Sequence, residues 1–174
     1  MAKQSITLFS ITTTVIVLII AVVVLLIGNY TKNFNSGITL DHQTISASTN
    51  LVNDTEKDAV WVATSATELA GELGKTISGV NWKDNLVVGI IASAQPNAGY
   101  TIELMSILLR ASRISVNYRL TQPEPDQLYA DVITYPPLLL QVSRESLPVG
   151  VPIDFAFTNL SSHSTQIVNR TLTL

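Results

Sequence analysis

The chain has 174 residues, with ten Lys or Arg against thirteen Asp or Glu and a formal net charge of −3. That mild acidity, without a basic cluster, gives nucleic-acid binding no electrostatic footing. No cysteine is present, which excludes a disulfide scaffold, a lipobox lipoprotein and thiolate metal ligands.

After a five-residue tail carrying Lys3, Ile6 to Ile27 runs without a charge, a proline or a glycine. A helix of this run is roughly 33 Å long, enough to cross a hydrocarbon core of about 30 Å. The sequence therefore predicts a single transmembrane signal-anchor, residues 6–27, with Ile6, Leu18, Val24 and Ile27 among its anchoring side chains and the lipid bilayer as a partner. A cleaved secretory signal is the rival. Its apolar region runs about 7–15 residues and ends in a small-x-small site, whereas Ile27-Gly28-Asn29-Tyr30 offers none. Lys3 ahead of the run favours a cytoplasmic amino terminus, with the rest of this single-pass protein in the periplasm or outside the cell.

Residues 28–58 are rich in Asn, Ser and Thr and read as a polar stalk, too poor in apolar residues to fold alone. The spacing within Ile38 to Ile45 allows one edge strand. The folded domain is expected over residues 59–174. It opens with a strand at Ala59 to Thr64, followed by Ser65-Ala66-Thr67-Glu68, which has the spacing of a capping box. A helix over Ala66 to Leu73 should follow, stopped by Gly74 in the left-handed region.

From there the pattern turns to strands. Leu86 to Ala92 is a continuous apolar run of the kind buried on both faces. Pro96-Asn97-Ala98-Gly99 is turn chemistry. Tyr100 to Leu109 and Arg113 to Thr121 form a hairpin around Arg110-Ala111-Ser112, and the second strand alternates Ile114, Val116, Tyr118 and Leu120 with polar residues. Gln122 to Asp126 is a rigid polar loop. Asp131 to Val142 is a strand broken at Pro136-Pro137, which must mark an edge or a bend. Val151 to Thr158 and Gln166 to Leu172 are a final pair. The fold class expected is α+β: one amino-terminal transmembrane helix, then a small, mostly antiparallel β domain with one short helix.

Three segments resemble the C-terminal domain of the protease-complex subunit PrcB family. They are Val62 to Leu69, where that family has a strand entering a short acidic helix; Leu86-Val87-Val88-Gly89 through Pro96-Asn97-Ala98-Gly99-Tyr100 to Ile102, where it has a Val-Val-Gly strand and a Pro-Thr-Gly-Gly-Tyr turn; and Asp131 to Leu140, matching a strand that ends in Thr-Tyr-Pro and resumes after a kink. Asn97-Ala98 stands where the family has Thr-Gly, so only Pro96, Gly99 and Tyr100 carry over from that turn. The resemblance, over about Ala59 to Ser146, implies a non-enzymatic accessory role in an exported protease complex.

The turn at Pro96, Asn97, Gly99 and Tyr100 is the leading candidate for partner contact, since a tight loop between two core strands presents backbone groups and a ring at a sheet rim. The plain alternative is that Gly99 supplies a positive φ and Tyr100 packs inward. Tyr135 and Pro136 are a second candidate contact or simply a kink. Trp61 and Trp82 read as core rather than ligand platforms. Catalysis has little to work with: His42 and His163 lack a suitably spaced carboxylate, and no serine sits in Gly-x-Ser-x-Gly. Asp126 and Asp131 do not form a Ca²⁺ loop. No cofactor, metal or small-molecule substrate is expected.

These features point to a membrane-anchored binding or accessory module that supports a protease or another membrane-associated complex, with a protein partner. Two alternatives stay open. One is an accessory single-pass subunit docking through its helix, whose Ser10 and Thr14 could pack against neighbouring helices. The other is a peptidase inhibitor resembling chagasin.

Overall fold

In a computed structural model of the protein, residues 37–46, 52–53, 55–74 and 76–172 are described. The chain divides into two units, Met1–Gly37 and Ile38–Leu174. Apart from Gly37, the described residues all belong to the second. In chain order they form β1 (Ile38–Thr39), β2 (His42–Ile45), β3 (Ala59–Ala63), α1 (Ala66–Leu73), β4 (Asn85–Ile91), β5 (Thr101–Arg110), β6 (Arg113–Thr121), β7 (Pro137–Ser143), β8 (Pro152–Asn159) and β9 (Ser164–Thr171).

The strands form two sheets, ordered β1-β5-β6-β8-β9 and β2-β7-β4-β3. Alternating side chains on a strand face opposite ways, so each run's pattern reports what lies on its two sides. In β6 every second residue is apolar, and Ile114, Val116 and Tyr118 are buried between the sheets while the other face is wet. In β4 nearly every residue is apolar because both sides are covered. Leu86, Val88 and Ile90 join the core between the sheets. Val87 and Ile91 lie on the opposite side, in a second cluster with Leu69 and Leu73 of α1 and with Ile77, Val80 and Trp82 of the following segment. Each such side chain contributes about 1.5–3 kcal/mol when fully buried.

Helix α1 begins as its sequence predicts. The Ser65 hydroxyl accepts the Glu68 amide, and Gly74 ends the helix at φ 65°. The return half of the capping box is displaced by one residue: Glu68 Oε2 accepts from the Thr64 amide (2.7 Å) and the Thr64 hydroxyl (3.0 Å) rather than from Ser65.

The expected fold class is corrected. The described chain is mostly β-sheet with a single eight-residue helix, because a second sheet, rather than a layer of helices, covers the first. No helix among the described residues is long and apolar enough to cross a membrane, so none of them supports the bilayer as a partner. The run holding Ile6, Ser10, Thr14, Leu18, Val24 and Ile27 lies outside the described residues.

Two local expectations also change. Residues 38–45 form two short strands rather than one. β1 pairs with β5 and β2 with β7, and Leu40, only 2 % exposed, sits where the segment crosses from one sheet to the other. Residues 131–135 form no strand beyond a single bridge between Gln95 and Thr134. β7 begins at Pro137 and lies in the interior of its sheet. A proline is tolerated there because the first residue of a strand can lack its N–H. One pairing, β6 with β8, is parallel, since the chain visits β7 in the other sheet between them.

Candidate functional site

The turn after β4 and the long loop between β6 and β7 build one rim at an end of the sandwich. Gln95 and Thr134 exchange both backbone bonds (2.8 and 3.0 Å), the Ala98 amide donates to the Ala130 carbonyl (3.2 Å), and the Thr134 hydroxyl donates to the Asn97 carbonyl (2.8 Å). The Asn97 side chain accepts the Gly99 amide (2.9 Å), closing the turn on itself. Gly99 does not have a positive φ. Its lack of a side chain matters for a different reason: a Cβ there would lie 2.5 Å from Pro123 Cβ and 2.8 Å from the Tyr129 ring. The glycine lets the loop lie flat on the turn.

Of the residues singled out from sequence, Pro96 is exposed on this rim, and Asn97, Gly99 and Tyr100 are half-buried in it. Tyr135 packs toward the cluster around Trp61 and Leu139, and Pro136 is buried, its carbonyl accepting the Ala92 amide (2.9 Å). The structure thus joins the turn to Thr134 and Tyr129, which sequence reasoning did not select. It also shows three exposed apolar side chains on the same loop: Leu128, fully exposed, Val132 and Ile133. An apolar residue within a proline-braced acidic stretch was the available signal for Leu128.

A second polar centre lies under β3. Asp58 Oδ2 accepts from the Tyr118 hydroxyl (2.8 Å) and from Asn159 Nδ2 (2.7 Å), Oδ1 accepts the Ser93 amide (3.0 Å), and the Asp58 carbonyl accepts from Gln166 Nε2 (2.7 Å). Burial first, and then Asp58, hold the Tyr118 phenol protonated far above its ordinary range. Asp58, Asn159 and Ser93 line a cleft of about 450 Å³ edged by Ser161, Ser162 and Ser164. All the polar atoms just named are mutually satisfied, which makes this centre a staple between the sheets. Arg170 adds to it, donating from Nε to the Val62 carbonyl (3.0 Å) across the facing edges of β9 and β3.

The remaining candidates fall apart in space. His42 lies in β2 with Nδ1 donating to the Leu40 carbonyl (3.0 Å), while His163 occupies the β8–β9 turn at φ 56°. Among the described residues no group of three or more His, Cys, Asp or Glu comes together as a metal site. Trp61 is 5 % exposed, its ring packed over Gly89, and Trp82 packs against the same cluster.

No curated protein and no solved structure matches the chain. A family model does match: residues 86–143, from the start of the β4 apolar run to the last residue of β7, fit the one described as PrcB C-terminal. This is a shorter stretch than the sequence resemblance covered, and it contains the whole rim. Over that stretch the chain is similar to the PrcB C-terminal family.

Proposed function

We propose that this domain is a non-catalytic accessory module of a protease complex, binding its protein partner through the rim made by the 96–100 turn and the 122–136 loop. The observation that carries the reading is that the PrcB C-terminal match covers residues 86–143 and so includes both halves of the rim. Loops held on a rigid sandwich are the usual carriers of binding function, and this rim is tied by two hydrogen bonds between its halves and by the paired backbone bonds of Thr134 with adjoining Gln95. The test is affinity capture of the full chain, tagged at its carboxyl end, from gently solubilised cells. Co-recovery of a peptidase subunit in constant ratio, lost on Ala98→Arg, supports the role. Recovery of the chain alone, after cross-linking as well as before, refutes it.

We extend the proposal to location: the domain works outside the cytoplasm. Support comes from the sequence of residues 6–27 with Lys3 ahead of it. Digestion of a carboxyl-terminal tag by protease added to intact spheroplasts would agree. A tag protected until lysis would not.

A further inference from the structure

We propose that Leu128 is the anchor by which the rim seats itself in a partner protein, and that the receiving site is an apolar pocket bordered by Lys and Arg. This rests on the reading of the rim as the docking surface and adds the chemistry of what docks there.

Three observations carry it. First, Leu128 is wholly exposed, with Val132 and Ile133 more than half exposed on the same loop, a concentration of apolar surface that folding alone does not call for. Second, the backbone beside Leu128 is held. The Gln127 amide donates to the Glu124 carbonyl (3.2 Å), the Tyr129 hydroxyl donates to Gln127 Oε1 (3.0 Å), the Tyr129 ring lies on Gly99, and the Ala130 carbonyl accepts from Ala98. An anchor whose flanking backbone is already held loses less freedom on binding, which lets a single side chain carry much of an interface.

Third, the charges on its own loop have one sign. Glu124, Asp126 and Asp131 are all exposed, and no Lys or Arg occurs between Arg119 and Arg144. Arg119 is itself engaged by Glu103 at 2.6 Å. A negative collar around an apolar tip is complemented by a pocket with a positive border. The same collar disfavours an anionic bilayer, and it disfavours a second copy, because a two-fold contact would bring collar against collar.

The test uses the full chain in its own cells, with the photoreactive residue p-benzoyl-phenylalanine placed at position 128, at position 98 on the turn, or at exposed Ile167 on β9 as a control. The expected result is one protein cross-linked from both 128 and 98. The adduct from 128 should map among apolar side chains bordered by Lys or Arg. Against that purified partner, Leu128→Ser should weaken binding by about 30-fold or more, the scale of an interface anchor, without moving the thermal midpoint. Replacing Glu124, Asp126 and Asp131 by Gln, Asn and Asn should slow association roughly tenfold at low salt and flatten its ionic-strength dependence.

If position 98 cross-links but 128 does not, or if Leu128→Ser binds as well as the unaltered chain, the anchor is refuted while rim docking stands. Cross-linking from 167 alone overturns both. Adducts from 128 to lipid alone, or to a second copy alone, overturn the proposal in favour of a bilayer or of self-association.

Discussion

Replacing Asp58 by alanine should remove a polar tie between the two sheets that joins three donors. Its carboxylate accepts the Tyr118 hydroxyl, the Asn159 amide and the Ser93 backbone amide at 2.7–3.0 Å. Tyr118 and Asn159 are 2 % and 6 % exposed, so their donors would be left without a partner. A hydrogen bond to a charged group contributes about 1.5–3 kcal/mol, and a stranded buried donor costs about 1–3 kcal/mol. Three simple losses would exceed the whole stability of many domains. The cleft of about 450 Å³ beside Asp58 admits water, which can replace the partner of Ser93 and part of that of Asn159. The net expectation is therefore about 3 kcal/mol for Asp58→Ala. Asp58→Asn keeps one acceptor oxygen and should cost roughly 1–2 kcal/mol. Urea denaturation followed by the fluorescence of Trp61 and Trp82 measures both, with an unchanged slope showing that the unfolded state is not what moved. A loss below about 0.5 kcal/mol for the alanine variant, the range of an ordinary surface change, would refute the staple.

The Tyr118 phenol is held protonated above its ordinary value, so its contribution is complete below the unfolded pKa of about 10 and is lost as pH rises beyond it. Above about pH 10, stability should fall more steeply with pH in the unaltered chain than in Tyr118→Phe, by up to about 1.4 kcal/mol per pH unit once the unfolded phenol is ionised; parallel pH profiles would refute this. Gly89→Ala drives a methyl into the Trp61 ring and should cost about 1–3 kcal/mol or more, with a change in near-ultraviolet circular dichroism. Gly99→Ala pushes on Pro123 and Tyr129 and should loosen the rim locally, raising proteolysis within 122–135 while global unfolding shifts by less than about 1 kcal/mol. Leu128→Ser should leave stability within about 0.5 kcal/mol, since the side chain touches nothing it would lose.

Local pattern was enough to locate most of the elements. Strand spans from β3 to β6 and the last two strands follow their apolar runs to within one or two residues, because period two and burial on one or both faces are written in neighbouring positions. Helix α1 was legible from Ser65, Glu68 and Gly74 for the same reason: its caps are local chemistry. The candidate site was legible in part. Turn chemistry marked residues 96–100, but not the loop that lies on them, since Gly99 meets Pro123 and Tyr129 only after β5 and β6 have doubled back. Tyr135 and Pro136 were selected for their composition, and packing turned them inward.

By itself the sequence determined the strands from β3 to β6 and the last two, where the one described helix starts and stops, and that β4 must be covered on both sides. Tertiary structure alone decided that the strands divide between two sheets, that residues 38–45 tie one edge of both, and that β6 runs parallel to β8. It also decided the partners of Asp58, which lie 60 and 101 residues away at Tyr118 and Asn159. The physical reason is range. Periodicity and capping are set by atoms a few residues apart, whereas strand order and buried polar pairing depend on which distant surfaces exclude water together.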